Sequence, residues 1–132
     1  MVNWLSRLTK GRAAIGVVGK KNGKTEAVKI LSDVKPENAF LFSIGEGSFT
    51  EKSAQNLNNL CEELKTIDLK SIEFHLHRGD FENWIKYLGD DILALQMAQI
   101  RNMPFNGEQT REKIVEVISK RIEKLKALES SP

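Results

Sequence analysis

His75, His77, Arg78, Asp80 and Glu82 fall within one stretch of eight residues, and Asp90 and Asp91 follow a little further on. An imidazole beside a carboxylate is the pairing used for general-base work, the acid orienting the ring and holding its tautomer. His75 and Asp80 stand in that relation, and the same two residues could bracket a metal ion. A metal centre wants three or four protein ligands, and the sequence brings only two or three near one another. Two other readings stay open: a half-buried His75 bonded to a carboxylate or a helix end, and a contact for a ligand or partner. In a helix His75 and His77 project from different faces; only a strand would align them. The candidate ligand or motif site is therefore His75, Arg78 and Asp80, with no catalytic residue assigned.

A second group of chemistry-bearing residues is basic. Residues 1–30 carry seven Lys and Arg against the single acid Glu26, whereas residues 31–110 carry seven against thirteen. The formal net charge of +2 hides this segregation. It places a basic face near the amino terminus, fit for phosphates or for an acidic protein surface. Arg7, Lys10, Arg12, Lys20, Lys21 and Lys24 are the candidate contacts. No aromatic residues interleave with them apart from Trp4, which is better read as packed.

Other motifs weaken on inspection. Gly19-Lys20-Lys21-Asn22-Gly23-Lys24-Thr25 resembles a phosphate-binding loop, but has one residue too few between its first glycine and the Gly-Lys-Thr. Arg78-Gly79-Asp80 spells an integrin-binding tripeptide, yet Gly79 reads as a helix stop and Asp80 as the cap of the next helix. Cys61, the one cysteine, sits in an apolar stripe as a buried inert thiol and excludes an internal disulfide. The sequence holds no nucleophile elbow, no His-Glu-x-x-His and no dinucleotide fingerprint.

The elements that position these residues follow from spacing. One domain of 132 residues is expected, with a short helix and basic arm over 1–12, a β-meander over 13–44 and a helical part over 50–128. Asn22-Gly23 is a hairpin signal between two apolar runs, and it predicts strands over 13–18 and 25–31. In that register Ile15, Val17, Val28 and Ile30 share one face. Residues 39–44, bounded by Gly45 and Gly47, read as the third strand. Thr50 with Ser53 is expected to open a helix carrying Ala54, Leu57, Leu60, Cys61, Leu64 and Ile67 on one stripe. Asp68 starts a segment with Leu69, Ile72 and Leu76 at helical spacing, read as a helix although Ile72, Phe74 and Leu76 also suit a strand; further helices follow from Asp80 and from Asp90, and a long one runs over 108–128. The expected class is α+β: three antiparallel strands packed against four or five helices.

Phe40-Leu41-Phe42, Ser71-Ile72-Glu73-Phe74-His75, Asp80-Phe81-Glu82-Asn83-Trp84-Ile85 and Leu88-Gly89-Asp90 together resemble the blocks of a family, with Arg111 in the last helix. That family is catalogued as domain of unknown function 5752 and is found mainly in archaea and some bacteria. The resemblance covers residues 39–128 and implies that His75, Asp80, Trp84 and Asp90 belong to a recurring motif. It carries no activity or cofactor with it. No apolar run is long enough for a membrane helix, and the first residues lack a signal-peptide core, so a cytoplasmic protein is expected. The expected function is a non-enzymatic interaction module whose basic arm and hairpin contact nucleic acid or an acidic protein. The alternative is a small-ligand, metal or hydrolytic site at His75, Arg78 and Asp80.

Overall fold

The computed structural model describes residues 23–131. Six α-helices and a two-stranded sheet make up the described residues: α1 (Gly23–Leu31), a 3-10 turn (Pro36–Asn38), β1 (Phe40–Ser43), β2 (Phe49–Ala54), α2 (Leu57–Leu64), α3 (Leu69–Arg78), α4 (Asp80–Leu88), α5 (Asp91–Arg101) and α6 (Glu108–Glu129). The class is α+β, as expected, but among the described residues the sheet has two strands where three were expected and the helices number six where four or five were expected.

Residues 25–31 are not the second arm of a hairpin; they lie in α1. Glu26 in the first turn and Lys29 in the last complement the helix dipole, and Ala27 and Ile30 are buried at a three-residue spacing. Val28, expected on the same face as Ile30, points to solvent. Gly23 opens the helix, and the space at its Cα is bounded by the Leu128 side chain of α6, 3.6 Å from where a Cβ would stand. The expected strand over 13–18 and the amino-terminal helix lie outside the described residues.

The strand that completes the sheet is β2, where a helix opening was expected. It pairs antiparallel with β1, with Phe40 opposite Ala54, Leu41 opposite Ser53 and Ser43 opposite Phe49. Two steps along β1 thus span four along β2, and Glu51, at φ 72°, absorbs the extra length as a bulge. The Thr50 hydroxyl ties the bulge down by donating to the Phe42 carbonyl at 3.0 Å and accepting the Lys52 N–H at 3.1 Å. Thr50 therefore serves a strand rather than a helix start. The helix begins at Leu57, capped by the Asn56 side chain, which accepts from the Asn59 N–H at 2.7 Å.

The remaining helices stand where spacing put them. Asp68 caps α3 through the Lys70 N–H at 2.9 Å. Gly79 (φ 78°) and Gly89 (φ 109°) end α3 and α4 in the left-handed conformation that favours glycine. Asp90 caps α5 through the Leu93 N–H at 3.1 Å. The core is one cluster to which all six described helices and both strands contribute, with Phe40, Phe42, Phe81 and Trp84 among its largest fully buried side chains. Phe40 is the hub: its ring stacks on Phe81 at 5.2 Å and meets Phe42 and Trp84 edge-on at 5.0 and 5.8 Å. Cys61 is buried as expected, its Sγ 3.3 Å from the Ser119 hydroxyl. Among the described residues no helix is long and apolar enough to cross a membrane.

Candidate functional site

α3 is a helix through residues 71–77, so His75 and His77 diverge: His75 is buried against the sheet and His77 is exposed. Ile72, His75 and Leu76 form the inward stripe, and this spacing carries the imidazole to the edge of β1. At that edge Ile44 donates its N–H to Ser48 across the hairpin, so strand alternation turns the Ser43 N–H outward. His75 Nε2 accepts that N–H at 2.8 Å. An accepting Nε2 carries no proton, so the ring proton sits on Nδ1 and is donated to Asp80 Oδ2 at 2.8 Å.

Asp80 is where the local reading fails. It begins α4, but its side chain makes no cap bond; the oxygen that meets His75 also accepts from Arg78 Nε at 3.1 Å. Gly79 takes the N-cap position and Asp80 the first helical one, and the imidazole N–H and the guanidinium outcompete a first-turn amide for its carboxylate, because bonds with an ionised partner are the stronger ones. Arg78 lies over the Phe74 ring, 4.9 Å from its centroid, and reaches Glu46 of the β1–β2 turn at 3.5 Å. The three candidate residues do come together, as a chain running from Ser43 through His75 and Asp80 to Arg78.

What the chain can do chemically follows from which atoms are left. The His75 ring is walled by Phe40, Phe42, Phe74 and Phe81, with centroids 4.8 to 6.1 Å away. Both nitrogens are engaged, so neither faces a position where a reacting atom could sit. Glu82 is turned to Arg101 at 3.0 Å. Among the described residues no group of three His, Cys, Asp or Glu side chains is placed to hold a metal ion.

Two further polar devices were not anticipated. Asp90, its side chain fully buried, accepts from Arg121 Nε at 2.7 Å and Nη2 at 3.0 Å in addition to capping α5. Arg111 donates to the Leu64 carbonyl at the end of α2 at 2.8 Å while its Nε holds Glu108 at 2.9 Å. A trace of the first lies in spacing, since Arg121 falls three residues after the inward Ile118 and borders Ile122. Of the basic candidates, Lys24 lies in the first turn of α1; Arg7, Lys10, Arg12, Lys20 and Lys21 lie outside the described residues. Because residues 23–31 are helical, Lys24 does not stand on a two-stranded ribbon.

The model of a Family of unknown function (DUF5752) matches residues 39–132. That span takes in the whole His75 chain and the Asp90–Arg121 pair, and leaves out α1. No curated protein and no solved structure matches the chain.

Proposed function

The chain belongs to this family of unknown function, and on that premise we propose that it is a non-enzymatic interaction module whose basic amino-terminal segment contacts a polyanionic partner. The charge segregation carries the reading: residues 1–30 hold seven Lys and Arg against one acid in a chain whose net charge is only +2. The engagement of both His75 nitrogens supports it by removing the free imidazole that a hydrolytic or ligand-binding site at His75, Arg78 and Asp80 requires. α1 packs against α6 through Ala27 and Ile30, which gives Lys24 a fixed platform. A folded base with a cationic segment leading into it suits phosphate or carboxylate contacts, which need charge density more than shape.

The experiment is a titration with duplex DNA, RNA and poly-glutamate at two salt concentrations, beside the variant Lys20→Glu/Lys21→Glu/Lys24→Glu. Expected is binding that weakens with salt and is lost in the variant, with each phosphate-contacting lysine contributing about 0.9 to the slope of log K against log salt on duplex DNA. Binding by DNA or RNA but not poly-glutamate would make the partner a nucleic acid, and the converse an acidic protein. No binding of any of the three at low salt, or equal binding by the variant, would overturn the proposal.

A further inference from the structure

His75, only 4% exposed, fastens two elements at once. Its Nε2 accepts the Ser43 N–H of β1 and its Nδ1 donates to Asp80 of α4, both at 2.8 Å. The two bonds respond in opposite ways to a proton. An imidazolium has two N–H donors and no acceptor, so a proton on Nε2 sets donor against donor at Ser43. The bond to Asp80 survives and strengthens, because its donor is then charged as well as its acceptor. A neutral ring holds both β1 and α4; a charged ring holds α4 alone.

The surroundings decide which element gives way. β1 walls the ring with Phe40 and Phe42, α3 with Phe74 and α4 with Phe81. Asp80 is the charged group that faces the ring, and its Oδ2 also accepts from Arg78 Nε at 3.1 Å. Arg78 in turn reaches Glu46. α5 and α6 also pack against α3, and among the described residues neither bonds a charged side chain to the ring. Phenyl walls are poor acceptors for a new Nε2–H, so the ring stays on Asp80 and the β1 edge is what parts. Beyond Ser43 lies the end of the hairpin, where Ile44 and Phe49 are exposed. Among the described residues its other polar tie to the helices is the Arg78–Glu46 pair at 3.5 Å, open to solvent and correspondingly weak.

We propose that His75 is an acid-operated latch. Protonation at Nε2 unfastens the β1 edge at Ser43 and frees the hairpin end, residues 44–49, while Asp80 keeps the ring on α4. The latch is closed while the ring is neutral and opens as pH falls. It goes beyond the polyanion reading and does not depend on it.

The test is nitrogen NMR of the whole chain carrying His77→Ala, which leaves His75 as the one imidazole. At neutral pH a coupling through the hydrogen bond should join His75 Nε2 to the Ser43 nitrogen. Expected on stepwise acidification is protonation of Nε2 together with loss of that coupling, the Ser43 amide proton moving upfield. The Asn59 amide is held at 2.7 Å by the Asn56 side chain, which does not titrate, and should keep its position as the sign of an intact fold. His75→Gln offers an oxygen to Ser43 and an amide N–H to Asp80 but takes no proton, so its Ser43 amide should not move over the same range. If that variant fails to fold, Asp80→Asn serves: without the carboxylate the imidazolium is less favoured, and the coupling should persist to lower pH. The latch is overturned by a coupling absent at neutral pH or outlasting Nε2 protonation, or by a ring that stays neutral until the Asn59 amide is lost as well. It is equally overturned by a parental acid shift of the Ser43 amide in His75→Gln, or by release at an unchanged pH in Asp80→Asn.

Discussion

His75 and Ser43, thirty-two residues apart, are joined by a buried bond in which a ring nitrogen accepts a backbone N–H that the β-ladder does not use. The imidazole thereby does for β1 what a third strand would have done at that position, and with its other nitrogen it fastens α4 through Asp80. One side chain on α3 thus ties the sheet to the helices on the far side of Gly79. His75→Phe keeps the ring volume but strands the Ser43 N–H, and should cost about 1–3 kcal/mol. His75→Ala also opens a cavity among four aromatic rings and should cost about 3–5 kcal/mol. His77→Ala, at an exposed position, should stay within about 0.5 kcal/mol. Urea denaturation curves with unchanged m-values measure all three, and long-range nitrogen–proton NMR should find the proton on Nδ1. A proton on Nε2, or a neutral His75→Phe, would contradict the arrangement.

The carboxy-terminal two-thirds was legible because its signals are local. Asp68, Gly79, Gly89 and Asp90 punctuate helices whose apolar stripes repeat every three or four residues, and the family match over residues 39–132 covers the same region. The sheet was misread where two local signals competed. Asn22-Gly23 is a strong hairpin cue, but Thr25 to Leu31 also places Ala27, Ile30 and Leu31 at helical spacing, and packing against α6 favours the helix. Phe49 to Ala54 is mostly exposed and contains a bulge, so it has no clean alternation for a period-two reading to find. The His75 cluster was visible as a set of residues but not as a geometry. Whether His75 was free depended on an outward N–H thirty-two positions away, which no spacing encodes.

The helix over 23–31 makes a prediction that a hairpin would reverse. Both geometries bury Ile30, but only the helix turns Val28 away from it, 45% exposed against 4%. Val28→Glu should therefore change stability by no more than about 0.5 kcal/mol. Ile30→Ala should cost about 2–4 kcal/mol through lost burial and a residual cavity. Equal and large losses from both, read from thermal or urea unfolding, would return the segment to a strand.

On the exposed face of α6, Glu116 sits between Lys120 and Lys113, at 3.3 and 3.5 Å. The hydrogen bond from Lys120 leads in holding its carboxyl below the ordinary value of 4.5, with the charges of both lysines adding to it. A carboxylate with a depressed folded value stabilises the fold above its unfolded value and loses that contribution as pH falls through the folded one. The window is therefore acidic, at and below the ordinary carboxylate range. Carboxyl-carbon NMR titration should place the Glu116 midpoint below those of unpaired glutamates, and raising the salt concentration should move it upward because the cluster is open to solvent. A salt-insensitive midpoint would rule out the pairing.

Asp90 and Arg121 offer the most demanding test of what holds α5 to α6. The Asp90 side chain is fully buried, the Arg121 side chain is 16% exposed, and Asp90 also carries the α5 cap. Removing one partner of a buried pair leaves the other charge without compensation, so Arg121→Met should cost about 3–5 kcal/mol. Asp90→Asn keeps an oxygen for the Leu93 N–H and should therefore lose the ion pair while sparing the cap. Once Asp90 is neutral, Arg121→Met no longer strands a charge, and the double variant should be more stable than the sum of the single losses predicts. The expected coupling is about 1.5–3 kcal/mol, large for neighbouring residues. If the four denaturation curves of this cycle give additive losses, the pair is a contact without energetic consequence, and the joint between α5 and α6 rests on Leu93, Met97, Ile118 and Ile122 packing alone.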